Sequence, residues 1–216
     1  MRGNIALFLN HVKNSMNFTN NRTVSLKKMM ALAGLFWFFF LIFYLLGALT
    51  FHCGEQAFTA FYVWFNGSIF YPILATLLIL TLIFHVVIAI TRQLSNNVSF
   101  GDQYKKPYPK AIPRVVAWSG ASIILIFIIT HSVQMLSINT VDLYSEIQNI
   151  FQRPIMWAIY GLGMIAISAH LHHGLSNVLQ TLGISSKQYK STAFIIVLLI
   201  MAGYASIPLG ILYAKV

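Results

Sequence analysis

Five long apolar runs, Met29–Phe51, Ile69–Ile90, Pro113–Met135, Pro154–Val178 and Thr192–Tyr213, alternate with stretches that hold every charged residue but Arg114. Each run is long enough to cross the hydrocarbon core of a bilayer as a helix, which takes about 20 residues. The pattern predicts an all-α fold: one bundle of five transmembrane helices forming a single domain over residues 1–216, with no internal repeat and no extramembrane module. The first run starts late, is too long for the apolar core of a signal peptide and lacks a small-residue cleavage site, so it reads as a span. Composition agrees, with 58% hydrophobic and only 8% charged residues, against roughly 25% charged in a soluble domain. The lone Cys53 allows no intrachain disulfide.

The cations orient the bundle. Arg2, Lys13, Arg22, Lys27 and Lys28 precede the first run, Arg92, Lys105, Lys106, Lys110 and Arg114 join the second to the third, and Lys187 and Lys190 precede the fifth. These are twelve of the fourteen Lys and Arg, whereas Glu55, Asp142 and Glu146 fall in the other connections. Short loops rich in Lys and Arg stay on the cytoplasmic side, which predicts the N-terminus inside and the C-terminus outside. Most of the net charge of +10 then lies on the inner face, where it suits lipid headgroups and topology and also the docking of a soluble partner. Nucleic acid is not expected, because the basic residues sit in short loops against the bilayer.

Orientation assigns depths. His85 and His170 each lie about 24 Å from the outer start of their span, at about 1.5 Å per residue, and so share an inner layer. Tyr44 and His131, on spans that run the other way, fall in an outer layer. Ionisable groups within a bilayer cost a few kcal/mol and are functional by default. Two neutral imidazoles facing each other across a bundle are the ligation of a six-coordinate b-type haem (heme b), whose edge needs small residues where it grazes a helix. Gly34 and Gly120, in the inner halves of the first and third spans, and Gly174, one turn past His170, are such residues. Zinc fits less well, since a structural zinc takes four ligands. In "MIAISAHLHHGLSNVLQTLG" (164–183), His170 and His173 share a helix face and compete as ligands. The depth of His170 favours it, leaving His173 to a haem propionate or water near the interface and His172 to the interface itself. His11 and His52 lie outside the spans and read as surface residues.

The segments "SLKKMMALAGL", "GEQAF", "FHVVIAI", "RVVAWSG", "THSVQM" and "AHLHHGLSNVLQTLG", in that order and at those depths, resemble the five-helix cytochrome b subunit of succinate:quinone oxidoreductases (succinate dehydrogenase and fumarate reductase, respiratory complex II), over Ser25 to about Tyr213. The resemblance implies a membrane anchor, in the bacterial inner membrane, that binds an FAD-containing flavoprotein and an iron–sulfur subunit on its inner face and passes electrons between them and a quinone. The chain would be the quinone-reactive subunit, with the dicarboxylate chemistry of the tricarboxylic acid cycle on a partner. The family's inner haem ligands fall on His85 and His170. Its outer haem is held by histidines on the first and third helices, which fall here on Tyr44 and His131.

Quinone chemistry couples protons to electrons and calls for polar residues near a haem edge. Ser25, Lys28 and Arg114 qualify by position on the inner side and Glu55 on the outer. Their plainer alternatives are an N-cap of the first helix for Ser25, topology anchors for Lys28 and Arg114, and a solvated loop carboxylate for Glu55. Trp118 and Trp157 read as interfacial belt residues.

Tyr44 departs from the pattern. Its spacing to Gly54 is the one the family shows from its ligand to the following glycine, so the histidine has been replaced rather than shifted. His52 lies about 12 Å further along the axis, out of register with His131. A neutral phenol is a poor ligand for a low-spin haem. The expectation is therefore one bis-histidine haem, with the outer haem absent or abnormal and His131 hydrogen-bonded to Tyr44 or a quinone headgroup, quinone or lipid taking up the space. Two other readings use the same residues: the haem-bearing anchor of another respiratory oxidoreductase, of nitrate reductase or hydrogenase type, and a small transporter with histidines as proton relays.

Overall fold

The computed structural model describes residues 2–98, 114–138, 142–181 and 189–213; Lys105, Lys106, Lys110 and Lys187 lie outside the described residues. Every described element is helical. The order is α1 (Arg2–Leu49), a 3-10 turn (Thr50–Cys53), α2 (Glu55–Gly67), α3 (Phe70–Val98), α4 (Arg114–Ser137), α5 (Leu143–Ile150), α6 (Pro154–Thr181) and α7 (Tyr189–Tyr213). Five stretches are long and apolar enough to cross a membrane: Lys28–Cys53, Phe70–Thr91, Ser119–Ser137, Pro154–Leu179 and Ser191–Tyr213. They coincide with the five apolar runs to within a few residues.

Three expectations are corrected. The first helix does not begin near Met29 but at Arg2 and runs for 48 residues, because no proline or glycine interrupts residues 4–33. Ser25 consequently lies inside α1 and is not its N-cap. Glu55 is not in a loop: it is the first residue of α2, exposed to solvent, where its charge complements the helix N-terminus. Two of the connections between spans fold into the short helices α2 and α5, which the run-based reading passed over as loops.

Contacts between helices fix their directions. Gly34 and Trp37 of α1 meet His85 and Thr81 of α3, numbers rising on one helix as they fall on the other, so these helices are antiparallel. Phe127 and His131 of α4 meet Gly163 and Tyr160 of α6 in the same way. Leu45 of α1 and His52 of the 3-10 turn that follows it meet Gly203 and Gly210 of α7 with both rising together, which makes α1 and α7 parallel. The five long helices thus alternate in direction between two ends. The basic end carries Lys28 on α1 and the N-termini of α4 and α7; the opposite end carries α2 and α5.

Burial is concentrated in two clusters. Leu45, Val197, Ile200 and Met201 join α1 and α7 in mid-bundle against partly buried residues of α6. Ala48, Phe51, Phe58, Leu143, Ile207 and Ile211 draw α2 and α5 onto the tips of α1 and α7 and close the opposite end. Large apolar side chains such as Leu80, Ile126, Ile165 and Leu199 face outward. An apolar surface of this extent is covered by a lipid bilayer rather than by water.

Candidate functional site

His85 of α3 and His170 of α6 meet across the bundle toward its basic end, with ring centroids 6.2 Å apart and planes at 73°. Their register is set from α1. Trp37 Nε1 donates to Thr81 Oγ1 at 3.1 Å, one turn before His85 on the same face of α3. One turn before Trp37, Gly34 brings bare backbone to the His85 ring, where an added Cβ would sit 3.9 Å from Cε1. The Met30 carbonyl is close to that ring, but Nδ1 of His85 is buried and makes no hydrogen bond. Leaving a buried polar nitrogen unpaired costs about 1–3 kcal/mol, and such a group calls for an explanation.

A metal held by that nitrogen would supply one. Two metal–imidazole bonds of about 2.0 Å, with about 1.1 Å more from each nitrogen to its ring centre, set the centroids about 6 Å apart. Among the described residues no three His, Cys, Asp or Glu side chains converge, so the protein offers two donors. A macrocycle with four nitrogens of its own completes such a set. His170 is exposed, and Gly174, one turn on along α6, has nothing within 4 Å of where a Cβ would be, so the space beside α6 there is not filled by side chains; the same holds at Gly120 on α4. The residues fit a bis-histidine haem.

The second layer lies ten residues further along α1 and ten back along α6, at Tyr44 and Tyr160, about 15 Å away. There Tyr44 Oη is 3.2 Å from His131 Nε2, and His131 Nδ1 is 3.1 Å from Tyr160 Oη. Tyr160 donates its hydroxyl proton to Gln134 Oε1 at 2.8 Å, and the Gln134 amide approaches Met156 Sδ at 3.8 Å. Phe127 lies parallel to the His131 ring, with centroids 5.8 Å apart and planes at 12°. Gly163 makes room for it, since a Cβ there would collide with the Phe127 ring. Tyr204 completes the layer, tilted against Tyr44 and donating to the Leu41 carbonyl at 2.6 Å. The expected hydrogen bond from Tyr44 to His131 is present. Aromatic side chains stand around the pair, with Phe40 stacked on Tyr44 and Phe127 parallel to His131.

The other expected residues fall elsewhere. His173 is exposed and bonds Asn177 one turn on along α6, at 2.9 Å, while His172 meets Phe194 edge to face. Ser25 and Lys28 are exposed one turn apart on α1 at the basic end; Arg114 opens α4 at the same end. Glu55 is at the far end, on α2. His52 does more than sit at the surface, since its Nε2 is 2.8 Å from Ser206 Oγ of α7. Trp157 is held by the Phe151 carbonyl at 2.9 Å and lines a cleft of about 350 Å³ with Phe151, Gln152, Pro154, Ile211 and Leu212, no ionisable side chain among them.

Sequence reasoning missed Tyr160, Gln134, Thr81 and Trp37 as parts of these layers. Two signals were present. Gln134 is three residues from His131 and shares its face, and Tyr160 stands ten residues before His170 just as Tyr44 stands ten after Gly34. Compared with protein-family models, curated proteins and solved structures, the chain matches none.

Proposed function

We propose that the chain is the haem b-binding membrane anchor of a succinate:quinone oxidoreductase, passing electrons between an iron–sulfur subunit and a membrane quinone. The observation that carries this reading is the pair His85 and His170, 6.2 Å apart with a buried Nδ1 unpaired. Bound haem supplies one-electron redox chemistry. The chain's own residues would hold and orient it: the imidazoles of His85 and His170 would be its protein ligands, and the Met30 carbonyl lies beside the His85 ring, as carbonyls behind metal-bound histidines do. The link from Trp37 to Thr81 keeps α3 from turning His85 away.

The basic end is read as the cytoplasmic face of a bacterial inner membrane, where the iron–sulfur subunit and the FAD-bearing flavoprotein dock. Quinone takes two electrons and two protons to become quinol. At that face Ser25 and Lys28 offer a hydroxyl and an ammonium that hydrogen-bond a quinone carbonyl and deliver protons from water, with Arg114 at the same level. A second reading, the anchor of another respiratory oxidoreductase, rests on the same pair. The meeting of Tyr44 with His131, at the first-span and third-span positions of the resembled family, favours the first.

A reduced-minus-oxidised spectrum of the protein purified from membranes tests the proposal. An α band of b type with low-spin character is the expected result, and its absence would overturn the haem reading. Crosslinks from Lys105, Lys106 or Lys187 should reach an iron–sulfur protein that copurifies with succinate or fumarate turnover; copurification with nitrate or hydrogen turnover would instead select the second reading.

A further inference from the structure

Building on the haem assignment at His85 and His170, we infer that this bundle holds a single redox centre, and that the hydrogen-bond chain Tyr44–His131–Tyr160–Gln134 stands where a second would be. Electron exchange with quinone is then confined to the basic half of the membrane.

The direction of the hydrogen bonds carries the inference. A phenol has one proton, and that of Tyr160 goes to Gln134 Oε1. At His131 the Tyr160 oxygen must therefore accept, which places a proton on Nδ1 and leaves Nε2 with the ring's only lone pair. That lone pair faces Tyr44 Oη at 3.2 Å and takes its proton. Each donor in the chain points the same way, from Tyr44 toward Gln134, and no lone pair of His131 remains for a metal.

The spacing agrees. Ligand atoms on opposite sides of an iron are separated by about 4 Å, twice a bond of about 2.0 Å, whereas Tyr44 Oη and His131 Nε2 are 0.8 Å closer than that at 3.2 Å. Opening the gap would require the His131 ring to move, and Phe127 lies along its face, itself seated on Gly163. At the His85 and His170 layer the opposite holds, with a nitrogen unpaired and no ring stacked over it in the same manner.

A lone centre in the basic half has a consequence for the quinone. His85 is fifteen residues, about 22 Å, from the start of α3 at the opposite end. With no second centre to bridge that distance, the two electrons that convert quinone to quinol pass between the iron–sulfur partner and quinone on the basic side, and the two protons are exchanged with water on that side.

Haem content per polypeptide in the complex purified from membranes tests this, with the redox titration of the α band as a second readout. The expected result is one haem per chain, titrating as a single component. The conservative variant His131→Gln and the variant His131→Ala should both keep that haem with its midpoint potential unchanged. Two haems per chain, a second titrating component, or loss of one of two haems in the His131 variants would overturn the inference while leaving the haem at His85 and His170 standing. No haem at all would instead overturn the parent reading, and this one with it. In vesicles of one orientation, an imposed membrane potential should leave the equilibrium between haem and quinone nearly unchanged, and a marked shift would place quinone exchange across the membrane.

Discussion

Two layers about 15 Å apart share α1 and α6 and each hold imidazoles within the bundle, yet they treat their polar atoms in opposite ways. Near the basic end two imidazoles face each other at 6.2 Å and one buried nitrogen has no partner. In the second layer an imidazole lies between two phenols with both nitrogens bonded. Burial of a polar group is costly unless it is hydrogen-bonded. The second layer meets that requirement from its own side chains. The first leaves it open, and an open requirement at a built site points to something that binds there. Similar residues at matched positions therefore need not share a role, because the state of their lone pairs separates them.

The largest effect should come from the open layer. Replacing His85 or His170 with Ala is expected to abolish the low-spin haem signal entirely, because six-coordinate ligation needs both nitrogens. If either variant kept its full haem content, the contrast between the layers would lose its chemical meaning. The α band per polypeptide measures this.

The glycines sharpen the same contrast at a smaller scale. A Cβ at Gly163 would collide with the Phe127 ring, whereas one at Gly174 meets nothing within 4 Å. Gly163→Ala should destabilise the protein by about 1–3 kcal/mol through overpacking. Gly174→Ala should stabilise the cofactor-free protein by about 0.5–1 kcal/mol, since an unopposed helical glycine only adds entropy to the unfolded chain. Thermal unfolding in detergent reads both, and shifts of the same sign would mean that the second layer is not tightly filled.

Much of this architecture is written in plain composition. The spans are legible because a bilayer demands about 20 apolar residues per crossing, and the matched depths of His85 and His170 follow from helix rise alone. The choice of His170 over His173 follows from depth; in the structure His173 bonds Asn177 one turn on. What was not legible has physical causes. Helices α2 and α5, of 13 and 8 residues, are too short to stand out by apolar length and are held by the cluster around Phe51, Phe58 and Leu143. The extension of α1 to Arg2 reflects the absence of a breaker, which no apolar run reports. Tyr160 and Gln134 went unassigned because a single tyrosine or glutamine in a span has many possible partners, and only the packing of α4 on α6 selects one.

The smallest effect concerns the phenols of the second layer. Tyr160→Phe removes the acceptor of the His131 Nδ1 proton and the donor to Gln134 Oε1 together, leaving two polar groups unpaired. Hydrogen bonds within membranes average about 0.6 kcal/mol in double-mutant cycles, and stranding a buried partner raises that cost, so the loss should be about 1–2 kcal/mol. Tyr204→Phe removes one bond, to the Leu41 carbonyl, which lies within α1 and still accepts the backbone N–H one turn on; the loss should be about 0.5 kcal/mol. The ratio carries the information. If Tyr160 and His131 belong to one directed chain, a cycle pairing Tyr160→Phe with His131→Ala should show coupling, while a cycle pairing Tyr204→Phe with His131→Ala should be additive. Unfolding free energies that were additive in both cycles would reduce the second layer to separate contacts, and the reason for denying it a metal would fall with them.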